Sequence, residues 1–329
     1  MTASIRVGIV GYGNLGRGVE HAIRRAPDLT LEGIYTRRDP SGVQALDASV
    51  PVRSLEALDG RADAIDVLIL CGGSKQDLPE QSPALASRFN LVDSFDTHAR
   101  IPAHFEAVDA AARSGGRLAL ISSGWDPGLF SLNRLFGEAI LPEGDTYTFW
   151  GKGLSQGHSD AIRRLPGVSQ AAQYTVPVPG AMDRVRAGER PTLGTREKHT
   201  RECFVVLAEG ADEATVREAI VSMPDYFADY DTTVNFIDAA TMARDHAAMP
   251  HGGFVIRSGV SGDGGSRQVI EYSLTLDSNP EFTSSVLVAY ARAVARLHRQ
   301  GQTGACTVFD VPPGLLSPKS AQALRKELL

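Results

Sequence analysis

The chain has 329 residues and a net charge of −6, with 33 Lys plus Arg against 39 Asp plus Glu. That length suggests two domains, each able to bury a core without staples, and the acidic balance excludes nucleic acid as the main partner. Three widely spaced cysteines, Cys71, Cys203 and Cys306, exclude a disulfide framework and a zinc site, and no apolar run reaches the ~18 residues of a membrane span. The N-terminus lacks a basic-then-apolar signal pattern, so a soluble, cytoplasmic protein without a metal is expected.

From residue 5 to about 122, short apolar runs alternate with amphipathic stretches. Residues 5–10, 31–35, 65–71, 91–92 and 118–121 read as strands, and 15–25 and 102–113 as helices. Near-continuous apolar strands joined by helices predict a parallel sheet covered on both faces. The first turn, Gly11-Tyr12-Gly13-Asn14-Leu15-Gly16, follows a strand and opens a helix. In that context its glycines allow a tight turn, a close approach to a pyrophosphate and tight helix packing, with the helix N-terminus turned toward the phosphates.

An NAD enzyme places an acid after the second strand to bind the ribose 2′-hydroxyl. Here the sequence reads Thr36-Arg37-Arg38. Two guanidinium groups suit a 2′-phosphate, so NADP is the expected cofactor. Later strand ends point to the same crevice: Cys71-Gly72-Gly73-Ser74, Asp93-Ser94-Phe95-Asp96, and Ser122-Ser123-Gly124-Trp125-Asp126-Pro127-Gly128. No lysine is expected to face the cofactor.

The rhythm then changes. Residues 146–150, 173–178, 201–207, 232–237, 254–260 and 268–276 read as strands, with helices at 213–223 and 239–246. Clean alternation at Ile270, Tyr272, Leu274 and Leu276 predicts an open, mainly antiparallel sheet with one polar face. His199, Arg201 and Cys203 fall on one side of their strand. A last helix at 281–300, ended by Gly301, is expected to return the chain to the first domain. The predicted architecture is α/β. A Rossmann-type, doubly wound NADP domain (1–124, joined by 280–329) accompanies an α+β substrate and dimerisation domain (125–279).

With these segments in hand, the chain resembles the meso-diaminopimelate dehydrogenase family nearly end to end. The specific stretches are Ser123–Gly128, Phe149–Gly151, Gly153–Asp160, Met223–Phe227 and Met249–Gly253. The resemblance implies NADP-dependent, reversible oxidative deamination of meso-2,6-diaminopimelate at its D-centre. The products would be L-2-amino-6-oxopimelate (tetrahydrodipicolinate) and ammonia, in bacterial lysine synthesis, by a homodimer. It also implies that Asp96 and Asp126 flank the reacting amino group, that Trp150, Gln156 and Gly157 line the pocket, and that Thr175, Arg201, His251 and Asn279 hold the distal L-end. Two alternatives stay open from sequence: another NADP-dependent reductase of the dihydrodipicolinate or saccharopine type, and a non-catalytic NADP-binding sensor. Asn279 before Pro280 also reads as a plain helix cap.

Overall fold

The computed structural model describes residues 4–329. The chain divides into two compact units, one made of the residues up to Leu132 together with Pro280–Leu329, the other of Asn133–Asn279. The division therefore falls past the expected boundary at 124, and Trp125, Asp126 and Pro127 go with the first unit.

Along the chain the first unit contains β1 (Ile5–Val10), α1 (Asn14–Arg24), β2 (Leu29–Thr36), β3 (Val52–Ser54), β4 (Val67–Leu70), α2 (Leu78–Ala86), β5 (Leu91–Asp93), α3 (Ile101–Ser114) and β6 (Leu118–Leu120). Helix α4 (Leu129–Ile140) leads out of it. The second unit holds β7 (Gly144–Trp150), β8 (Gly153–Leu154), α5 (Gln156–Arg163), β9 (Val168–Pro177), α6 (Pro179–Arg186), α7 (Thr195–Lys198) and β10 (His199–Leu207). It continues with α8 (Glu213–Val221), β11 (Asp231–Phe236), α9 (Ala239–Asp245), β12 (His251–Ser261) and β13 (Ser266–Leu276). The chain ends in α10 (Asn279–Arg299), β14 (Gly304–Cys306) and α11 (Ala321–Leu328).

The first unit is a seven-stranded sheet in the order β3-β2-β1-β4-β5-β6-β14, with every pair parallel. Its two faces follow from strand periodicity. On β4, Val67 and Ile69 join Val19 and Ile23 of α1 and Leu287 and Val294 of α10 in one core. Leu68 and Leu70 join Leu78 and Leu85 of α2 and Val108 and Ala112 of α3 in the other. Each such side chain, once fully buried, stabilises the fold by roughly 1.5–3 kcal/mol. Helix α10 does return to this sheet: Ser284 donates to the Leu15 carbonyl at 2.8 Å, and buried Arg292 grips Asp28 with bonds of 2.7 and 2.8 Å. The strand order reverses beside β1, between β2 and β4, the place where doubly wound sheets open a ligand crevice.

The second unit has two sheets rather than one. In β11-β10-β9-β8 the central pair is antiparallel, whereas β10 and β11 run parallel because α8 carries the chain across between them. The other sheet, β13-β12-β7, is wholly antiparallel. No helix among the described residues is long and apolar enough to cross a membrane.

Candidate functional site

In the first unit a cleft opens over the ends of β1, β2 and β4, lined by Gly11, Gly13, Arg37, Arg38, Cys71 and Gly73 among others. A side chain at Gly16 would meet the Gly11 carbonyl at 2.3 Å, so only glycine lets α1 start this close to β1. A side chain at Gly13 would meet no atom within 4 Å, which leaves that backbone open to a ligand. No side chain caps α1 at Gly13, and the N–H groups at a helix start, here those of Asn14 and Leu15, suit an anion.

The basic turn is braced from two sides. Arg38 donates to the Tyr12 carbonyl at 2.6 Å, and Arg37 pairs with Asp77 at 2.5 Å. Both guanidinium groups are at the surface of the cleft. Thr36, by contrast, is buried and its hydroxyl accepts the Arg38 N–H at 3.1 Å, so it shapes the turn. An open glycine, an uncapped helix and two arginines together fit the pyrophosphate and 2′-phosphate of NADP.

The loops after β4, β5 and β6 carry Ser74, Ser94, Phe95, Ser123, Gly124, Trp125 and Pro127, outside the lining of that cleft. Phe95, Ser123 and Trp125 are buried, leaving their backbone as the part they can offer. Asp96 is exposed, and its N–H donates to the Ser74 hydroxyl at 2.9 Å, which ties two of these loops together. Asp126 is half-buried in a tight turn. There Leu129 and Phe130 donate to the Gly124 and Trp125 carbonyls at 3.1 and 2.8 Å, and Trp125 packs edge-on against Phe130.

In the second unit, register brings several predicted residues together. Gly153 pairs with Thr175, and Thr175 with Arg201. Arg201 is 6% exposed, donates from Nη1 to the Thr175 hydroxyl, lies 3.8 Å over the Tyr230 ring, and has an unpartnered Nε. Burial lowers its pKa, and among the described residues no carboxylate pairs with it. A buried cation with a spare donor is a site built for an anion. His251 lies so close over Gly153 that a side chain there would meet its ring at 2.4 Å. The same stretch is bracketed by Gln156, which donates to Met249 sulfur at 2.8 Å, and by Asn279, whose N–H donates to the Met249 carbonyl at 3.0 Å. Gly157 is exposed at the start of α5.

Sequence reasoning missed three residues here. His199 accepts the Trp150 N–H at 2.8 Å and stacks on the Trp150 ring at 5.3 Å, fixing that tryptophan. Burial, and the charges of Arg201 and Lys198, push its pKa down to about 4, so it stays neutral and remains an acceptor. Tyr230 lies under Arg201, and Asp77 holds Arg37. The alternation that put His199 beside Arg201 was the available signal for the first; neither of the others had one.

Residues 124–278 match the model of the diaminopimelic acid dehydrogenase C-terminal domain. The chain is 63% identical over 327 residues to a meso-diaminopimelate D-dehydrogenase of Ureibacillus thermosphaericus, covering 99% of this chain and 100% of that one. A multiply substituted meso-DAP dehydrogenase of Clostridium tetani with DAP is similar in structure at a TM-score of 0.94 and 55% identity, covering 99% and 100%. An engineered D-amino acid dehydrogenase bound to NADP+ gives 0.86 and 46%, with the same coverage. Likeness of this extent sets aside a different reductase on the same plan, and the chain belongs to the meso-diaminopimelate D-dehydrogenase family.

Proposed function

We propose that this protein catalyses the NADP-dependent, reversible oxidative deamination of meso-2,6-diaminopimelate at its D-centre. The products are L-2-amino-6-oxopimelate, which closes to tetrahydrodipicolinate, and ammonia; the reaction serves bacterial lysine synthesis. The observation that carries the reading is Arg201, a buried cation with a free donor beside the Thr175 hydroxyl and no acid of its own. A substrate carboxylate supplies the missing charge. The residue types replaced in the Clostridium tetani enzyme, Gln, Thr, Arg, Pro, His and Asn, occur here in that order at Gln156, Thr175, Arg201, Pro250, His251 and Asn279.

When bound, NADP+ supplies the hydride acceptor. Oxidation removes a hydride from the D-Cα and leaves a C=N bond, so the ammonium must first lose a proton. Asp96 and Asp126 accept hydrogen bonds from that ammonium and orient the Cα, and Asp96 passes the proton toward solvent. Water then adds to the imine carbon and ammonia leaves. Trp150, held by His199, forms a wall of the pocket with Gln156 and Gly157, while Arg201, Thr175, His251 and Asn279 hold the distal amino-acid end.

The same reading includes a homodimer, supported by Leu135, Phe136 and Ile140, which are exposed on α4. It also places the protein in the cytoplasm, supported by three free cysteines. The catalytic assignment is tested by Asp96→Asn and Asp126→Asn. Each is expected to lower kcat by about 10²-fold or more, the scale of lost positioning and acid–base catalysis, with little change in NADPH affinity. Near-parental turnover in both variants removes the assignment.

A further inference from the structure

The two loops assigned to chemistry leave different strands, and one buried group holds both. Asp93, the last residue of β5, is fully buried. Its Oδ1 accepts the Phe95 N–H at 3.1 Å and the Ser122 N–H at 2.8 Å, and its own carbonyl accepts the Ser123 N–H at 3.0 Å. Phe95 directly precedes Asp96, and Ser122 and Ser123 begin the segment that reaches Asp126. Ser122 has φ +55°, a left-handed conformation that a serine adopts only at some cost and that must be held by its surroundings.

The other carboxylate oxygen is fixed from behind. Oδ2 accepts from the Ser82 hydroxyl at 2.6 Å and lies 2.8 Å from His104 Nε2. His104 is itself buried and stacks on Phe95, with centroids 4.1 Å apart and planes 15° from parallel. Ser82 comes from α2 and His104 from α3, so two helices aim one carboxylate at two strand ends. None of these three side chains is exposed enough to meet a substrate.

We propose that Asp93, oriented by His104 and Ser82, is a positioning residue that sets the placement of Asp96 and Asp126 for the reaction. The proposal rests on the catalytic reading of those two carboxylates. A buried acceptor-only group with backbone donors on one oxygen and side-chain donors on the other holds both loops in one geometry. An amide at this position still accepts on one side but loses the charge-assisted strength of all its bonds.

The test uses the full-length protein and compares Asp93→Asn, Ser82→Ala, His104→Leu and His104→Gln, the last keeping an N–H donor near the position of Nε2. Measurements are kcat with meso-diaminopimelate, NADPH affinity by fluorescence, and the isotope effect with substrate deuterated at the D-Cα. D93N and H104L are expected to lose kcat by about 10- to 100-fold, the cost of roughly ångström-scale misplacement, and to show a larger isotope effect. NADPH affinity stays within about twofold of the parent, since the β1 turn and the arginines after β2 are untouched, and H104Q recovers most of the loss. Should D93N fail to fold, S82A and H104L carry the same readout. Parental kcat in folded D93N and H104L overturns the proposal, and so does a parallel loss of kcat and NADPH affinity. If D96N and D126N lose activity while D93N does not, only the positioning role fails. If D96N and D126N turn over normally, the catalytic reading fails and this proposal with it.

Discussion

Replacing Arg201 by methionine should move activity and stability in opposite directions. Arg201 is 6% exposed, its Nε has no partner, and burial already disfavours its charge. In the free protein it is therefore a buried cation that, among the described residues, has the Thr175 hydroxyl and Tyr230 against it and no carboxylate. Methionine has similar length and no charge to desolvate, and such replacements of buried charge are often neutral or stabilising. Loss of the ring contact offsets about 0.5–2 kcal/mol of that gain. The net expectation is a melting temperature equal to or above the parent. With substrate the balance reverses, because a buried carboxylate left without its partner costs about 3–5 kcal/mol. At 1.36 kcal/mol per decade that is roughly 150- to 5000-fold in kcat/KM. Initial rates of NADPH formation against meso-diaminopimelate, with thermal melts in the absence of substrate, give both numbers. A variant within about tenfold of parental kcat/KM refutes the anion-anchor role. One that melts well below the parent refutes the premise that Arg201 is strained without its ligand.

The cofactor turn and the buried histidine give two further tests. Replacing Arg37 and Arg38 together by alanine should weaken NADP+ binding by about 2–4 kcal/mol, the scale of lost charge-assisted bonds, while NAD+ binding changes little; equal use of both cofactors by the parent would contradict the reading of this turn. His199 links stability to pH. Its pKa falls from 6.5 to about 4 on folding, so the unfolded chain takes up the proton first as pH drops, and stability present above 6.5 is lost on the way to 4. Urea unfolding at pH 5 and pH 7 should show a loss of about 2 kcal/mol from this residue, absent in His199→Gln; an unchanged difference in the variant sinks the assignment.

The parts of the molecule legible in the sequence are those where backbone geometry dictates residue type. The first turn needs glycine where α1 meets Gly11, and β4 reads as a strand because each of its four residues faces one of two cores. Strands β3 and β14 were not legible: each has three residues, too few for a period, and exists by pairing with β2 and β6. Helix α4 was hidden because Leu135, Phe136 and Ile140 stay exposed, which blurs its apolar stripe. The second unit was expected to hold one sheet, because alternation reveals a strand but not its neighbours. At the site, Arg201 and Thr175 were legible through the family resemblance, and register placed them side by side. His199 was seen to share their face, but its bond to the Trp150 N–H joins residues 49 apart and leaves no local trace. Asp93 and Ser122 were legible as strand-end residues, but the clamp they form with Ser82 and His104 of two helices leaves no local trace either.

The most direct test of the whole account is to follow a deuterium label from meso-diaminopimelate deuterated at its D-Cα, with NADP+ as acceptor. The reading predicts that NADPH forms, that it carries the label, and that the L,L isomer is not oxidised at a comparable rate. No NADPH with the meso substrate, label that stays on the product, or comparable oxidation of the L,L isomer would contradict it.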